Sequence, residues 1–305
     1  MSLTFTGERF HPECQGEMVY EHWHRYLFAA RLAANQRVLD VASGEGYGAA
    51  LLAEVAREVT GVDLSAEAVA HARARYRRSN LSFIEAPCTR IPRPDASFDL
   101  VVSFETIEHI TEQESFLAEI ARLLAPGGRL VISSPNRPEY SEKTGYRNEF
   151  HARELDRAEL AALLTPQFPA QRWFAQRAAF HSLLWPLERP ATAVQALAVD
   201  GGSAWPEPMY FVVVAAREEA ALTALDAMVT LVTDREQSVY AEWSRTYREN
   251  AAAREEIARL RAELERLSGA ALGSALPPTA PHPAEPWLVR LARRLCQRAH
   301  PGASR

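Results

Sequence analysis

The 305-residue chain is 47% hydrophobic and carries a net charge of −5, a globular balance with no general pull toward nucleic acid. No apolar run is long enough to span a bilayer, and residues 1–9 lack a charged-then-apolar export pattern, so a cytoplasmic location is expected. Cys14, Cys88 and Cys296 are odd in number and far apart, which argues against a disulfide framework and a cysteine-based zinc site. Residues 5–13 read as irregular and polar. A helix is predicted over 17–34, with Val19, Trp23, Tyr26, Leu27 and Ala30 on one face. His22 and His24 point apart on a helix, so no metal site is expected there, and none is assigned elsewhere.

From 37 to 136 strands and helices alternate: strands at 37–41, 58–63, 81–85, 98–103 and 129–134, helices at 47–56, 66–77 and 112–124. Such alternation implies a parallel sheet covered on both faces. The first strand runs into Val38-Leu-Asp-Val-Ala-Ser-Gly-Glu-Gly-Tyr-Gly48, a glycine turn that opens a helix and presents backbone N–H groups to a ligand. Gly44-x-Gly46-x-x-Ala49 matches a dinucleotide fingerprint in form. Asp40 argues against it. A carboxylate just before the turn repels a pyrophosphate but attracts the ammonium and sulfonium of S-adenosylmethionine (SAM). Asp63, at the end of the second strand, is placed to accept ribose hydroxyls, while Ser65 is the better N-cap for the next helix.

Asp40-x-Ala-x-Gly-x-Gly46 resembles motif I of class I SAM-dependent methyltransferases, with Ala42 where the first glycine usually stands. Gly61-Val-Asp-Leu-Ser65, 98–110 with its Glu108-His109 pair, and 123–136 resemble the motifs that follow in that family. The resemblance implies a Rossmann-like, seven-stranded α/β sheet over 37–216, an N-terminal cap helix within 1–36 and SAM as the cofactor. The cofactor residues it implies are Asp40, Ala42, Gly44, Gly46, Tyr47, Asp63, Leu64, Ala86, Cys88, Ser103, Phe104 and Glu105. Where the family often has Gly-Asp-Ala, this chain has Glu85-Ala86-Pro87-Cys88, so the usual aspartate contact to adenine is missing. Cys88 reads as a pocket wall. His109 follows the fourth strand, where a hydroxyl acceptor would meet the sulfonium methyl, and is the first candidate base.

The polar segment 134–151 is expected to be a lid or acceptor loop. It supplies Glu149 and His151 as further candidates for base or sugar binding. A helix at 153–164, a strand at 168–176, an irregular insertion at 180–208 and an antiparallel seventh strand at 209–216 complete the sheet. Residues 217–268 read as helix, with room for one break, and carry a short coiled-coil pattern at Ile257, Leu260, Leu264 and Leu267, which suits a homo-oligomer. An Ala/Pro-rich linker (269–286) and a basic amphipathic tail (287–305) suited to peripheral contact with the inner membrane face follow. The details outside the core resemble bacterial methyltransferases of surface-polysaccharide clusters, implying a sugar hydroxyl as acceptor and no nucleic-acid partner. A methyltransferase of quinones or natural products, or a catalytically silent scaffold, are the alternatives.

Overall fold

Strands buried on both faces need apolar side chains on both, and the central strands supply them without alternation. Val38 and Leu39, Leu100 and Val101, and Leu130 and Val131 are all buried, each pair facing opposite sides of the sheet. The computed structural model describes residues 17–179, 205–223, 225, 229–232 and 238–268. The segment 5–13, most of the 180–208 insertion, the linker 269–286 and the tail 287–305 lie outside the described residues.

The elements are α1 (Glu17–Ala33), β1 (Arg37–Val41), α2 (Tyr47–Leu52), β2 (Glu58–Asp63), α3 (Ala66–Arg75), β3 (Leu81–Glu85), β4 (Phe98–Ser103), α4 (Gln113–Leu123), β5 (Leu124–Pro135), α5 (Arg157–Leu164), β6 (Ala170–Gln176), β7 (Tyr210–Ala216) and α6 (Ser238–Ser268). The seven described strands form one sheet in the order β3-β2-β1-β4-β5-β7-β6, with β7 antiparallel to both of its neighbours. The order reverses between β1 and β4, so their carboxyl ends frame a crevice at the switch point, where ligands of such sheets bind. Helices α1 and α2 pack on one face through Tyr26, Ala29, Ala33 and Leu52. On the other face, α4 and α5 pack through Phe116, Ile120, Leu160 and Leu164. This is the expected seven-stranded, Rossmann-like α/β architecture.

Several boundaries differ from expectation for identifiable reasons. Helix α2 stops at Leu52 because the carbonyls beyond it are claimed from outside: Asn80 Nδ2 donates to Ala53 O and Ala56 O, and Asn35 N to Val55 O. Helix α5 starts at Arg157, where Asp156 and Glu159 form a reciprocal capping box. On α1, Leu27 is 43% exposed while Arg25 is buried beside Tyr26, so the inward face is rotated from the apolar pattern. The region from 218 is not one continuous helix: a single 3₁₀ turn (Glu219–Leu222) anchors Leu222 in the core, and α6 begins only at Ser238. Contacts divide the chain after Ala241, the sheet falling in the first unit and most of α6 in the second. On α6, Ile257 and Leu260 are exposed, and no described helix is long and apolar enough to cross a membrane.

Candidate cofactor and acceptor site

The turn after β1 is shaped by left-handed backbone. Ala42, Gly44 and Gly46 have φ of 60°, 56° and 96°. Ala42 therefore occupies, with a Cβ, a conformation that costs an L-residue about 1–2 kcal/mol. At Gly46 a Cβ would lie 2.8 Å from both Ala72 and Phe83, so the turn also needs glycine for space. Asp63 holds the turn in place. Its Oδ2 accepts from Gly44 N and its Oδ1 from Ser65 N, each at 2.8 Å, while Ser65 Oγ caps α3 by accepting from Ala68 N. Each carboxylate oxygen keeps a second lone pair, which suits a ribose diol. Leu64 beside it is 73% exposed, an apolar surface against which an adenine could stack. Ala86 is buried with its N–H on Asp63 O, and Cys88 packs on the apolar core, where burial pushes its thiol pKa up. The thiol is thus a poor nucleophile.

Asp40 is fully buried, and Tyr26 of α1 donates to its two oxygens at 3.1 and 3.3 Å. Gly48 makes this approach possible, since a Cβ there would lie 2.0 Å from the Tyr26 ring. Tyr47 packs edge-on against Tyr26 and bonds His22 Nδ1 at 3.2 Å. His24 turns instead to Thr230 at 2.6 Å, so the two histidines diverge. Burial pushes the Asp40 carboxyl up to about 8; the Tyr26 hydrogen bond opposes this and Asp63 adds to it. A cation bound beside Asp40 would favour the carboxylate, so binding would release a proton below that pH. SAM affinity is expected to rise with pH, by up to about tenfold per unit, and to level off above about pH 8. Calorimetric titrations between about pH 6 and pH 9 check this, with Asp40→Asn expected to be flat. A flat wild-type profile would place the cation away from Asp40.

At the end of β4, Ser103 and Phe104 are buried, and Ser103 Oγ has no hydrogen-bond partner among the described residues. Glu105 takes a left-handed φ of 48°. Its carboxylate accepts from Ser133 Oγ at 2.6 Å and lies 3.6 Å from the buried Arg25. The turn that follows (Ile107–His109) brings His109 against His151, with ring centroids 4.8 Å apart and edge to face. His109 Nδ1 lies 3.0 Å from Phe150 O, and His151 Nδ1 lies 2.7 Å from Glu154 Oε1. Both partners are acceptors, so the neutral form of each ring carries its proton on Nδ1 and its lone pair on Nε2. Glu149 is exposed and stands outside this pair. Lys143 is bound to Glu139.

Three contributors escaped the sequence reading: Tyr26 on Asp40, Arg25 on Glu105, and Glu108. Glu108 is fully buried, and burial, reinforced by Glu105, holds its carboxyl well above the usual range. The Glu108-His109 pair was the visible signal, but its burial was not. Against Arg25 lies a cavity of about 360 Å³ lined by apolar groups that include Phe28, Trp173, Trp205 and Leu231, with His24, Arg25, Gln176, Arg177 and Thr230 among its polar groups. Strand register puts Gln176 and Tyr210 level with Pro135, so the Gln176 end of this cavity lies at the same sheet edge as the glycine turn.

A methyltransferase domain family profile matches residues 39–132. A Mycolicibacterium smegmatis protein named a probable S-adenosylmethionine-dependent methyltransferase is 42% identical over 166 residues, covering 53% of this chain and 64% of its own. One of the same description from Mycobacterium tuberculosis (strain H37Rv) is 43% identical over 166 residues, covering 53% and 60%. A ubiquinone biosynthesis O-methyltransferase from Bradyrhizobium sp. is 36% identical over 103 residues, covering 33% and 40%. The chain thus spans under two thirds of the length of these relatives. Those kinships, the four motifs in order and the β3-β2-β1-β4-β5-β7-β6 sheet agree on one conclusion. The chain is similar to class I SAM-dependent methyltransferases, and the matched methyltransferase domain, residues 39–132, lies within this sheet.

Proposed function

We propose that the chain is an O-methyltransferase acting on a sugar hydroxyl of a bacterial surface glycan or its precursor. The observation that carries an oxygen acceptor is the His109–His151 pair at the exit of β4, on the sheet edge that also carries the glycine turn. When bound, SAM supplies a methyl group on cationic sulfur, a reactive electrophile. The protein is then left with positioning and proton removal. Phe150 O holds the His109 ring so that Nε2 can take a hydroxyl proton. The sugar assignment rests on the resemblance of the outer segments to polysaccharide-associated enzymes.

A second reading, a quinone or related small-molecule acceptor, is favoured by the aromatic lining of the cavity and by the quinone-pathway relative. Peripheral membrane contact through 287–305 and self-association through α6 remain part of the proposal, supported by the sequence pattern and by the exposed Ile257 and Leu260. Incubation with methyl-labelled SAM against nucleotide sugars, lipid-linked glycans and quinols separates the readings. Label in a glycan fraction is expected. Label only in the quinol arm would replace the first reading with the second, and saturable SAM binding with no transfer to any acceptor class would favour a silent scaffold.

A further inference from the structure

A carboxylate sealed in a protein interior is stable only with a partner. Glu108 is 1% exposed, and neither of its oxygens accepts a hydrogen bond among the described residues. Protonation would remove the charge but leave an O–H donor whose ring-nitrogen neighbour, His109 Nε2, lies beyond hydrogen-bond reach at 4.0 Å. A cation would satisfy both oxygens.

The surroundings are those of a ligand set. One oxygen of Glu108 and one ring nitrogen each of His109 and His151 lie within 4.8 Å of one another, with His109 Nε2 at 4.0 Å from Glu108 Oε1. Each imidazole is fixed through its other nitrogen: His109 Nδ1 on a backbone carbonyl, His151 Nδ1 on the carboxylate of Glu154. Histidine ligands of metal ions are oriented in this way, the outer acceptor setting the tautomer and raising the basicity of Nε2. Asn148 Nδ2 now donates to His151 Nε2 at 3.0 Å, a contact that a bound ion would displace. Donors bonded at about 2.0–2.2 Å to a common ion stand closer together than these do, so side-chain shifts of about 1 Å would complete the site.

We propose that Glu108, His109 and His151 form a divalent transition-metal site. Two imidazoles and one carboxylate suit Zn²⁺, Fe²⁺ or Mn²⁺ better than the all-oxygen preference of Mg²⁺, and leave coordination positions open. The assignment rests on the O-methyltransferase reading for its chemistry, though not for its test; with an ion bound, His109 Nε2 is a ligand in place of the base. An acceptor hydroxyl on an open position becomes more acidic. Its O–H bond breaks with the proton passing to solvent, and the oxygen–carbon bond forms as the carbon–sulfur bond breaks. S-adenosylhomocysteine leaves with that electron pair.

The test reads metal and SAM separately on untagged, chelator-treated full-length protein. Calorimetry with Zn²⁺ and Mn²⁺, and the visible absorption of added Co²⁺, are expected to show one ion per chain. Glu108→Gln and His151→Ala should each weaken it by about tenfold or more while SAM affinity stays within about twofold. His109→Gln serves as the third variant should either of these fail to fold. Absence of saturable ion binding in protein that binds SAM would overturn the proposal, as would equal ion binding by the wild type and the folded variants. Loss of SAM binding in the wild type would instead strike at the methyltransferase reading.

Discussion

Replacing His109 with alanine is expected to lower turnover about a hundredfold or more while SAM affinity stays within about twofold. The ring is 31% exposed and sits on a short turn, so its loss should leave the core intact. The structure gives it one role that alanine cannot fill: an imidazole with Nδ1 held by Phe150 O and its lone pair on Nε2. Single-turnover measurements with saturating acceptor separate this from a binding defect, since a lost base or ligand lowers the rate rather than the affinity. Retained turnover would move the proton to His151 or to Glu149. Equal losses at His109 and His151 would show the two acting as a unit, as their ring contact suggests.

The second large effect is expected at Asp63. Its carboxylate accepts from Gly44 N and Ser65 N, so it shapes the turn as well as facing the expected ribose. Removing a charged acceptor of this kind should weaken SAM by about 1–3 kcal/mol, or about five- to 150-fold. Asp63→Asn keeps one acceptor oxygen and should fall between. Unchanged affinity in folded Asp63→Ala would mean that the ribose lies elsewhere.

The sheet was legible because its strands are short apolar runs ending in turn residues. The β1, β2, β3 and β4 boundaries fall where the sequence pattern puts them. The capping role of Ser65 was legible for the same local reason, and the Asp156-x-x-Glu159 signature of α5 was available though unused. What stayed hidden depends on tertiary contacts. Arg25 is buried because Gln176 accepts from it at 2.7 Å, Glu105 lies 3.6 Å away and the Tyr210 ring lies under it; hydrophobic periodicity instead turned Leu27 inward. Residues 218–237 contain neither glycine nor proline and read as helix, yet among the described residues Leu222 docks into the core from a 3₁₀ turn and Thr230 bonds His24, long-range partners that compete with local propensity there. The approach of His151 to His109 spans 42 positions that include α4 and β5, and a linear reading could nominate both without pairing them.

The central claim is that the glycine turn, Asp40 and Asp63 hold SAM. Isothermal titration of SAM into the full chain near pH 8 tests it most directly. The account predicts saturable binding at one SAM per chain, displaced by S-adenosylhomocysteine and weakened by Asp63→Ala. Absence of saturable binding in a folded chain, or binding indifferent to both Asp40→Asn and Asp63→Ala, would contradict it.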